Sequence, residues 1–394
     1  MTRPLAIISG AGVAGLAAAW WLDRAGWRTL IIERAASLRE NGYMLGLSGL
    51  GHETACRMGI HDALAAEAYE INENVYLDSL GREILRLRYR DFLKDLPYLA
   101  VRRTSLVKAL QDALPASATL RFSRQITGFA DHGASVTVTL DTGEELACDL
   151  LIGADGARSA LRQQLFGPDG ACLQPLGYYF AVYDLEAPKE FDTDFVSYAE
   201  PGHLAEYYSL NGGRLAAMHV WRDPEPGLEQ QTDKAALLAT VCAQSHPQVR
   251  HLTDQLRHSG ARPVIDSLTM IDLPRWSSGR VMLLGDAAHC LTLVSGQGAG
   301  MALASAEMLA EALAGSASGS ASVEEALARH EARLRPVITR LQARSRKMAA
   351  VFIPQSRFAF HLRNIIMRNM PRSWLGRYFT SSLRSEIELA RGNG

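Results

Sequence analysis

The chain has 394 residues, 41 Lys+Arg against 42 Asp+Glu, a formal net charge of −1 and 47% hydrophobic residues. That length fits two or three domains or one large composite. Ordinary Gly and Pro contents exclude wholesale disorder, collagen and coiled coil, and the neutral balance gives no general nucleic-acid footprint.

Pro4 precedes the apolar run Leu5 to Ile8, which has the size of a buried strand. Gly10-Ala11-Gly12-Val13-Ala14-Gly15 and an Ala/Leu/Trp-rich helix to Arg24 follow, with Gly26 placed as a C-cap. Thr29 to Ile32 reads as a second strand ending in Glu33 and Arg34. The glycines interrupt what otherwise has the outline of a signal peptide. No other stretch approaches the ~18 apolar residues of a membrane span.

Residues 74–90 predict a hairpin and 105–114 a short helix, and 119–152 hold several strands. Residues 176–222, rich in Tyr, Phe, Val and Trp, predict an antiparallel sheet. Helices are expected at 233–257, strands at 264–272 and 281–284, and a small-residue helix at 297–314. The Gly/Ser stretch 315–322 reads as a link, with helices beyond it. The five cysteines show neither a redox pair nor a zinc pattern, so no metal site is expected. Isolated thiols suit a reducing cytoplasm.

Three motifs carry chemistry. Gly10-x-Gly12-x-x-Gly15 follows a strand and opens a helix, the context that lets backbone N–H groups and a helix N-terminus hold a pyrophosphate. Glu33 stands where an acid accepts hydrogen bonds from a ribose diol, which favours FAD or NAD over NADP. Gly153-Ala154-Asp155-Gly156 and Gly285-Asp286-Ala287-Ala288-His289 each put an Asp at the end of a predicted strand, where α/β sheets bind ligands. Each Asp could equally cap the helix after it.

Taken together, GAGVAG with Glu33, GADGARS, and GDAAH followed by Gly296-Gln297-Gly298 resemble the single-component FAD-dependent aromatic hydroxylases, the para-hydroxybenzoate hydroxylase-like superfamily. The resemblance implies a glutathione-reductase-type Rossmann α/β FAD domain interleaved with an antiparallel β-sheet substrate domain, plus C-terminal helices. The expected boundaries are 1–73, 98–172 and 266–322 for the FAD domain. Residues 74–97 and 173–265 would form the substrate domain, and 323–394 a segment bracing the two.

It further implies non-covalent FAD, NADPH or NADH as transient reductant, and O2 activated as a C4a-hydroperoxyflavin that hydroxylates an electron-rich aromatic or polyketide-like molecule. A flavin oxidase or reductase, or a noncatalytic FAD-fold protein, are the alternatives. Arg103 would contact the flavin side, Asp155 both FAD and nicotinamide, and Asp286 the ribityl chain. Gly298 and Ala299 would open a helix aimed at the flavin ring. Two departures stand out: residues 290–295 lack the family's usual proline, and Gly300 replaces a frequent Asn.

Alternation along Arg214 to Trp221 puts Leu215, Ala217, His219 and Trp221 on one face. This predicts a substrate wall, with His219 or Tyr207 bonding a phenol. Residues 331–394 hold 13 Arg/Lys and three Glu, a net of +10, which leaves −11 on residues 1–330. Apolar stripes run through Leu327, Leu334, Leu341 and Met348, through Phe358, Leu362, Ile365 and Ile366, and through Trp374 to Leu383. They are expected to pack back on the chain rather than bind a membrane surface.

Overall fold

The computed structural model describes residues 3–38, 42–89, 97–189, 191, 193–293, 296–317, 319 and 321–369. The strand Leu5–Ser9 pairs in parallel with Arg28–Ile32 on one side and Leu150–Gly153 on the other. Ala118–Arg121 and Val281–Leu283 extend the sheet in parallel, and Ser277–Ser278 adds a short antiparallel edge. Such a sheet needs cover on both faces, and its strands are correspondingly apolar throughout. Ala6, Ile8, Leu150 and Ile152 pack against helices Val13–Arg24 and Gly298–Leu313. Ile7, Leu151 and Leu283 face the other way, toward a small antiparallel sheet bearing Val136, Val138 and Leu140.

The second large sheet has seven strands, in the order Val264–Ile271, Leu173–Glu186, Arg214–Arg222, His203–Leu210, Phe195–Glu200, Glu73–Leu77 and Glu83–Arg88. All its pairs are antiparallel except Phe195–Glu200 with Glu73–Leu77. Side chains alternate between its faces. Tyr183, Tyr207, Leu215, Ala217 and Trp221 form a core with Leu238, Val249, Leu252 and Leu256, which come from helices Lys234–Val241 and Pro247–Ser259. Tyr178, Leu204, Val220 and Leu268 look the other way, toward Leu293, Ile353 and Phe360.

Helix Val323–Phe352 continues through Pro336 and buries Leu327, Leu334, Ile338 and Leu341. Arg335 lies over the Trp276 ring at 4.8 Å and donates to Leu273 O at 2.9 Å. Helix Arg357–Asn369 departs from expectation. Phe358, Leu362, Ile365 and Ile366 are exposed, while Phe360, off that stripe, is buried. The helix docks through its Phe360 side, so the longer apolar stripe faces outward. The stripe at 374–383 lies outside the described residues. Among those described, no helix is long and apolar enough to cross a membrane.

Candidate active site

The three motifs close three neighbouring strands. Gly10 N donates to Ile32 O at 2.8 Å, Ala154 N to Ser9 O at 2.8 Å and Leu284 N to Gly153 O at 2.9 Å. The motif glycines then divide by what a side chain would strike. At Gly10, with φ +104°, a Cβ would lie 2.5 Å from Ala154 O. At Gly15 it would lie 2.0 Å from Gly10 O. At Gly12 the nearest atom is Arg103 Nη2, 3.9 Å away. Gly10 and Gly15 therefore serve the chain's own close approach, whereas Gly12 leaves room above the N-terminus of helix Val13–Arg24. That division is what a pyrophosphate cradle requires.

The acids gather around this cradle. Glu33 accepts from Ala11 N at 2.8 Å and Ala35 N at 2.9 Å, which fixes its carboxylate beside the glycine turn. Arg34, next along, is exposed. Asp155 accepts from Leu161 N at 3.3 Å, and its other oxygen is buried without a protein partner. The following helix is N-capped by Ser159, which accepts from Arg162 N, and Asp155 takes a second first-turn N–H, so capping accounts for one of its oxygens and leaves the other unmet. Gly156 follows at φ +84°.

Asp286 Oδ1 comes within 4.0 Å of the Cβ position of Gly298, which places the carboxylate under the first turn of helix Gly298–Leu313. Asp286 is exposed, yet burial raises its pKa, with the Arg103 charge opposing the rise. A group both accessible and desolvated lies in a concave surface. Gly285 packs on Ala14, where a Cβ would come within 2.7 Å of the alanine methyl. Gly296, at φ +64°, and Gln297 lead into the helix, and Ala299 is half-buried in its first turn.

The helix crossing beside Gly300 demands a glycine at Gly51, whereas a Cβ on Gly300 would meet Gly51 at an ordinary 3.5 Å. A Cβ on Gly51 would lie 2.3 Å from Gly300 Cα, so helix Gly49–Arg57 crosses helix Gly298–Leu313 through two glycines. Thr54 and Arg57 then bond Glu307 across the crossing at 2.6 and 2.5 Å. The segment after GDAAH is held from the other side. Gln342 Nε2 donates to Ile271 O at 2.6 Å and to Cys290 O at 3.4 Å, and Ser345 donates to Leu291 O at 3.0 Å. Directly after these fixed points Thr292 adopts φ +68°, a strained conformation for a β-branched residue.

The structure places His219 and Tyr207 apart from this assembly, in the core under helices Lys234–Val241 and Pro247–Ser259. His219 Nε2 meets Tyr183 Oη at 2.8 Å and Tyr207 Oη at 3.2 Å, and its Nδ1 meets His203 Nε2 at 3.2 Å and Cys242 Sγ at 3.6 Å. His203, His219 and Cys242 could together offer three ligand atoms to a metal. Both ring nitrogens of His219 already have protein partners, and burial depresses its pKa, keeping the imidazole neutral.

The opposite face of the sheet presents a group that sequence reading missed. Glu206 is buried beside Ser197, Tyr208 and Asn74. Tyr76, Tyr89 and Tyr98 complete the surroundings, each with its pKa raised by burial. Tyr98 also lies against Gly46, where a Cβ would come within 2.6 Å of its ring. Gly46 belongs to the strand Met44–Ser48 that leads into helix Gly49–Arg57. Parity with Tyr207 was the available signal: alternate residues on one strand must look to opposite sides.

This arrangement, a glycine-turn cradle with a ribose-side acid and two further strand-end aspartates, defines a dinucleotide-binding flavoprotein. The chain belongs to the FAD binding domain family, whose model matches residues 4–345, that is, to the para-hydroxybenzoate hydroxylase-like flavoprotein monooxygenases. It is an FAD-dependent oxidoreductase. It is 30% identical over 391 residues to a flavin-dependent monooxygenase of a Phoma species, covering 91% of this chain and 90% of the relative. It is 28% identical over 319 residues to 3-hydroxybenzoate 6-hydroxylase 1 of Aquipseudomonas alcaligenes, covering 77% and 79%. The fold also matches the crystal structure of Klebsiella pneumoniae HpxO complexed with FAD and uric acid. There the TM-score is 0.82 and the identity 22%, over 97% of each chain.

The residues present fit FAD. Gly12 opens a space that a Cβ would intrude upon, Glu33 and Asp286 offer carboxylates for hydroxyl groups, and Arg103 lies between Gly12 and Asp286 as a countercharge.

Proposed function

We propose that the protein is a monooxygenase that hydroxylates an electron-rich aromatic or polyketide-like small molecule, using NADPH or NADH as transient reductant and O2 as oxidant. The observation that carries this reading is the meeting of two surfaces. The face of the sheet that bears Glu206 also bears Leu204 and Val220, which pack with Leu293 from the segment that follows Asp286. A tyrosine-rich sheet face thus adjoins the segment that follows Asp286.

FAD, when bound, supplies the redox chemistry, and the chain supplies position and electrostatics. Glu33 holds the adenosine ribose, Gly10, Gly12 and Gly15 admit the pyrophosphate, and Asp286 holds the polyol chain. Arg103 neutralises negative charge at the phosphate side, and Asp155 bonds the cofactor with its spare oxygen. The first turn of helix Gly298–Leu313, through Gly298 and Ala299, would offer its N–H groups and positive dipole end to the ring system. The aromatic wall excludes water and orients the substrate ring. The relatives named as a flavin-dependent monooxygenase and as a hydroxybenzoate hydroxylase support the class of reaction.

The test is consumption of NADH and NADPH with O2 by the FAD-loaded protein, across a library of phenols and hydroxyquinones, with mass analysis of products. A product that gains one oxygen atom from labelled O2, coupled to reductant use, is the expected result. Release of all consumed oxygen as peroxide with every ligand would refute oxygen insertion.

A further inference from the structure

Glu206 is a buried carboxylate with too few donors. An ionised carboxylate offers about four lone-pair sites. Two groups reach Glu206: Ser197 Oγ at 3.2 Å from Oε1 and Tyr208 Oη at 3.3 Å from Oε2, both longer than the ~2.7–2.8 Å usual for O–H···O bonds. Ser197 has one hydroxyl hydrogen, and it also lies 3.0 Å from Asn74 Oδ1. When that hydrogen serves Asn74, Glu206 keeps only Tyr208. On the same wall Asn74 Nδ2 is buried with no acceptor within 3.5 Å, the Tyr76 and Tyr89 hydroxyls being its more distant neighbours. An unmet acceptor and an unmet donor thus stand side by side on the sheet face that looks toward the cofactor motifs.

We propose that Glu206 and Asn74 form the substrate-recognition pair of this chamber. Glu206 accepts a hydrogen bond from a hydroxyl or amino group on an aromatic ring, and Asn74 donates to an adjacent oxygen of the same molecule. The pair selects neutral hydroxylated or amino-substituted aromatics, and it disfavours an aromatic carboxylate inserted at the same depth, because like charges would meet in a desolvated site. This rests on the functional reading above for the chamber's location and extends it to a substrate class.

The surroundings agree. Phe195 stacks on Tyr208 with centroids 3.9 Å apart, which fixes the hydroxyl that Glu206 shares. Cationic side chains on this side include Arg222, over the Tyr178 ring, and Arg363, half-buried near Tyr76; Arg363 bonds Asn364 Oδ1 at 2.7 and 3.0 Å and lies over the Phe360 ring. Arg363 is less deeply buried than Glu206. Burial lifts the Glu206 carboxyl to about 7, and it raises the hydroxyls of Tyr76, Tyr89, Tyr98 and Tyr208 above their ordinary range. Among the described titratable groups named beside the pair, Glu206 alone changes charge near neutrality.

The experiment is calorimetric titration of the FAD-loaded protein with naphthol, methoxynaphthalene and naphthoate. Naphthol should bind the wild type about tenfold or more tightly than its methyl ether, the effect of one hydrogen bond to a charged acceptor. Naphthoate should bind more weakly than naphthol. In Glu206→Gln the preference for naphthol over the ether should fall to about threefold or less, and the rise in naphthol affinity from about pH 5.5 to about pH 8.5 should vanish. Equal binding of naphthol and ether by the wild type, or an undiminished preference in Glu206→Gln, would overturn the proposal while leaving the functional reading intact. Naphthol binding without oxygen insertion into any phenol would do the reverse. Should Glu206→Gln fail to retain FAD, Ser197→Ala is the second variant. It removes a competing donor and should keep or strengthen the naphthol preference; a weaker preference would overturn the assignment.

Discussion

Two glycines three residues apart separate cofactor binding from folding. Gly15→Ala would place a methyl 2.0 Å from Gly10 O, against an ordinary contact above ~3.3 Å, so helix and turn must part by more than ~1 Å. Overpacking of that size costs about 1–3 kcal/mol in the protein without FAD. Gly12→Ala meets nothing closer than 3.9 Å, and its φ of −81° and ψ of −174° suit any residue. An alanine at this N-cap loses something relative to glycine but also restricts the unfolded chain; the two effects offset to within about 0.5 kcal/mol. The same methyl occupies the side from which a pyrophosphate approaches. Losing one or two backbone hydrogen bonds to a charged group, each about 1.5–3 kcal/mol, weakens FAD by about tenfold to a thousandfold or more. Thermal unfolding of both apo-variants, together with FAD titration by flavin fluorescence, makes the comparison. Wild-type FAD affinity in Gly12→Ala, or an unchanged apo-protein unfolding temperature in Gly15→Ala, would refute the division of roles.

Glu206→Gln should also change how stability depends on pH. Because its folded pKa is raised to about 7 from an ordinary 4.5, the wild type is penalised progressively as pH rises from about 4.5 through about 7, by roughly 3 kcal/mol in all. The variant should lack that loss; denaturant unfolding near pH 5 and pH 8.5 measures it, and parallel pH profiles would refute it. Glu307→Ala leaves the buried Thr54 hydroxyl without its acceptor, while the half-exposed Arg57 can return to water. It should cost about 1–3 kcal/mol in chemical denaturation. Gln342→Ala strips the donor from Ile271 O and Cys290 O, and should loosen the segment after Asp286. A weaker FAD affinity is expected, with at most about 1–2 kcal/mol lost from global stability; unchanged affinity would show that the long helix does not hold the cofactor loop.

The cradle was legible because its chemistry is local. A strand, a glycine turn, a helix and an acid at the end of the next strand occupy one short stretch, and Gly10, Gly12, Gly15 and Glu33 are where that grammar places them. The parallel sheet was legible for a similar reason, since Ala6, Ile7, Ile8 and Leu150 to Ile152 are apolar on both faces. The direction of the second sheet was not legible. Alternation along Arg214–Arg222 and His203–Leu210 separates two faces but does not name them. The face with His219 and Tyr207 carries more aromatic residues because it forms a core with Leu238, Val249, Leu252 and Leu256. Helix Pro247–Ser259 must bury its own apolar side somewhere, and it follows its sheet directly in sequence. Its packing makes His219's face the covered one, with Glu206 on the face opposite.

The departures at Gly300 and at residues 290–295 bear on how chamber and cradle are joined. A side chain at Gly51 would drive helix Gly49–Arg57 away from helix Gly298–Leu313, because its Cβ would lie 2.3 Å from Gly300 Cα, whereas a Cβ at 300 would meet Gly51 at an ordinary 3.5 Å. Helix Gly49–Arg57 continues from the strand Met44–Ser48, whose Gly46 lies under Tyr98. A displacement at the crossing would therefore be felt both at the Gly298 turn beside Asp286 and at the Tyr98 wall beside Glu206. The segment between Cys290 and Leu293 lacks a proline to stiffen it, and takes its shape instead from Gln342 and Ser345 on helix Val323–Phe352 and from the strained Thr292. In this chain the segment after Asp286 is thus shaped by helix–helix contact and by the C-terminal helix, rather than by the local stiffness of the loop.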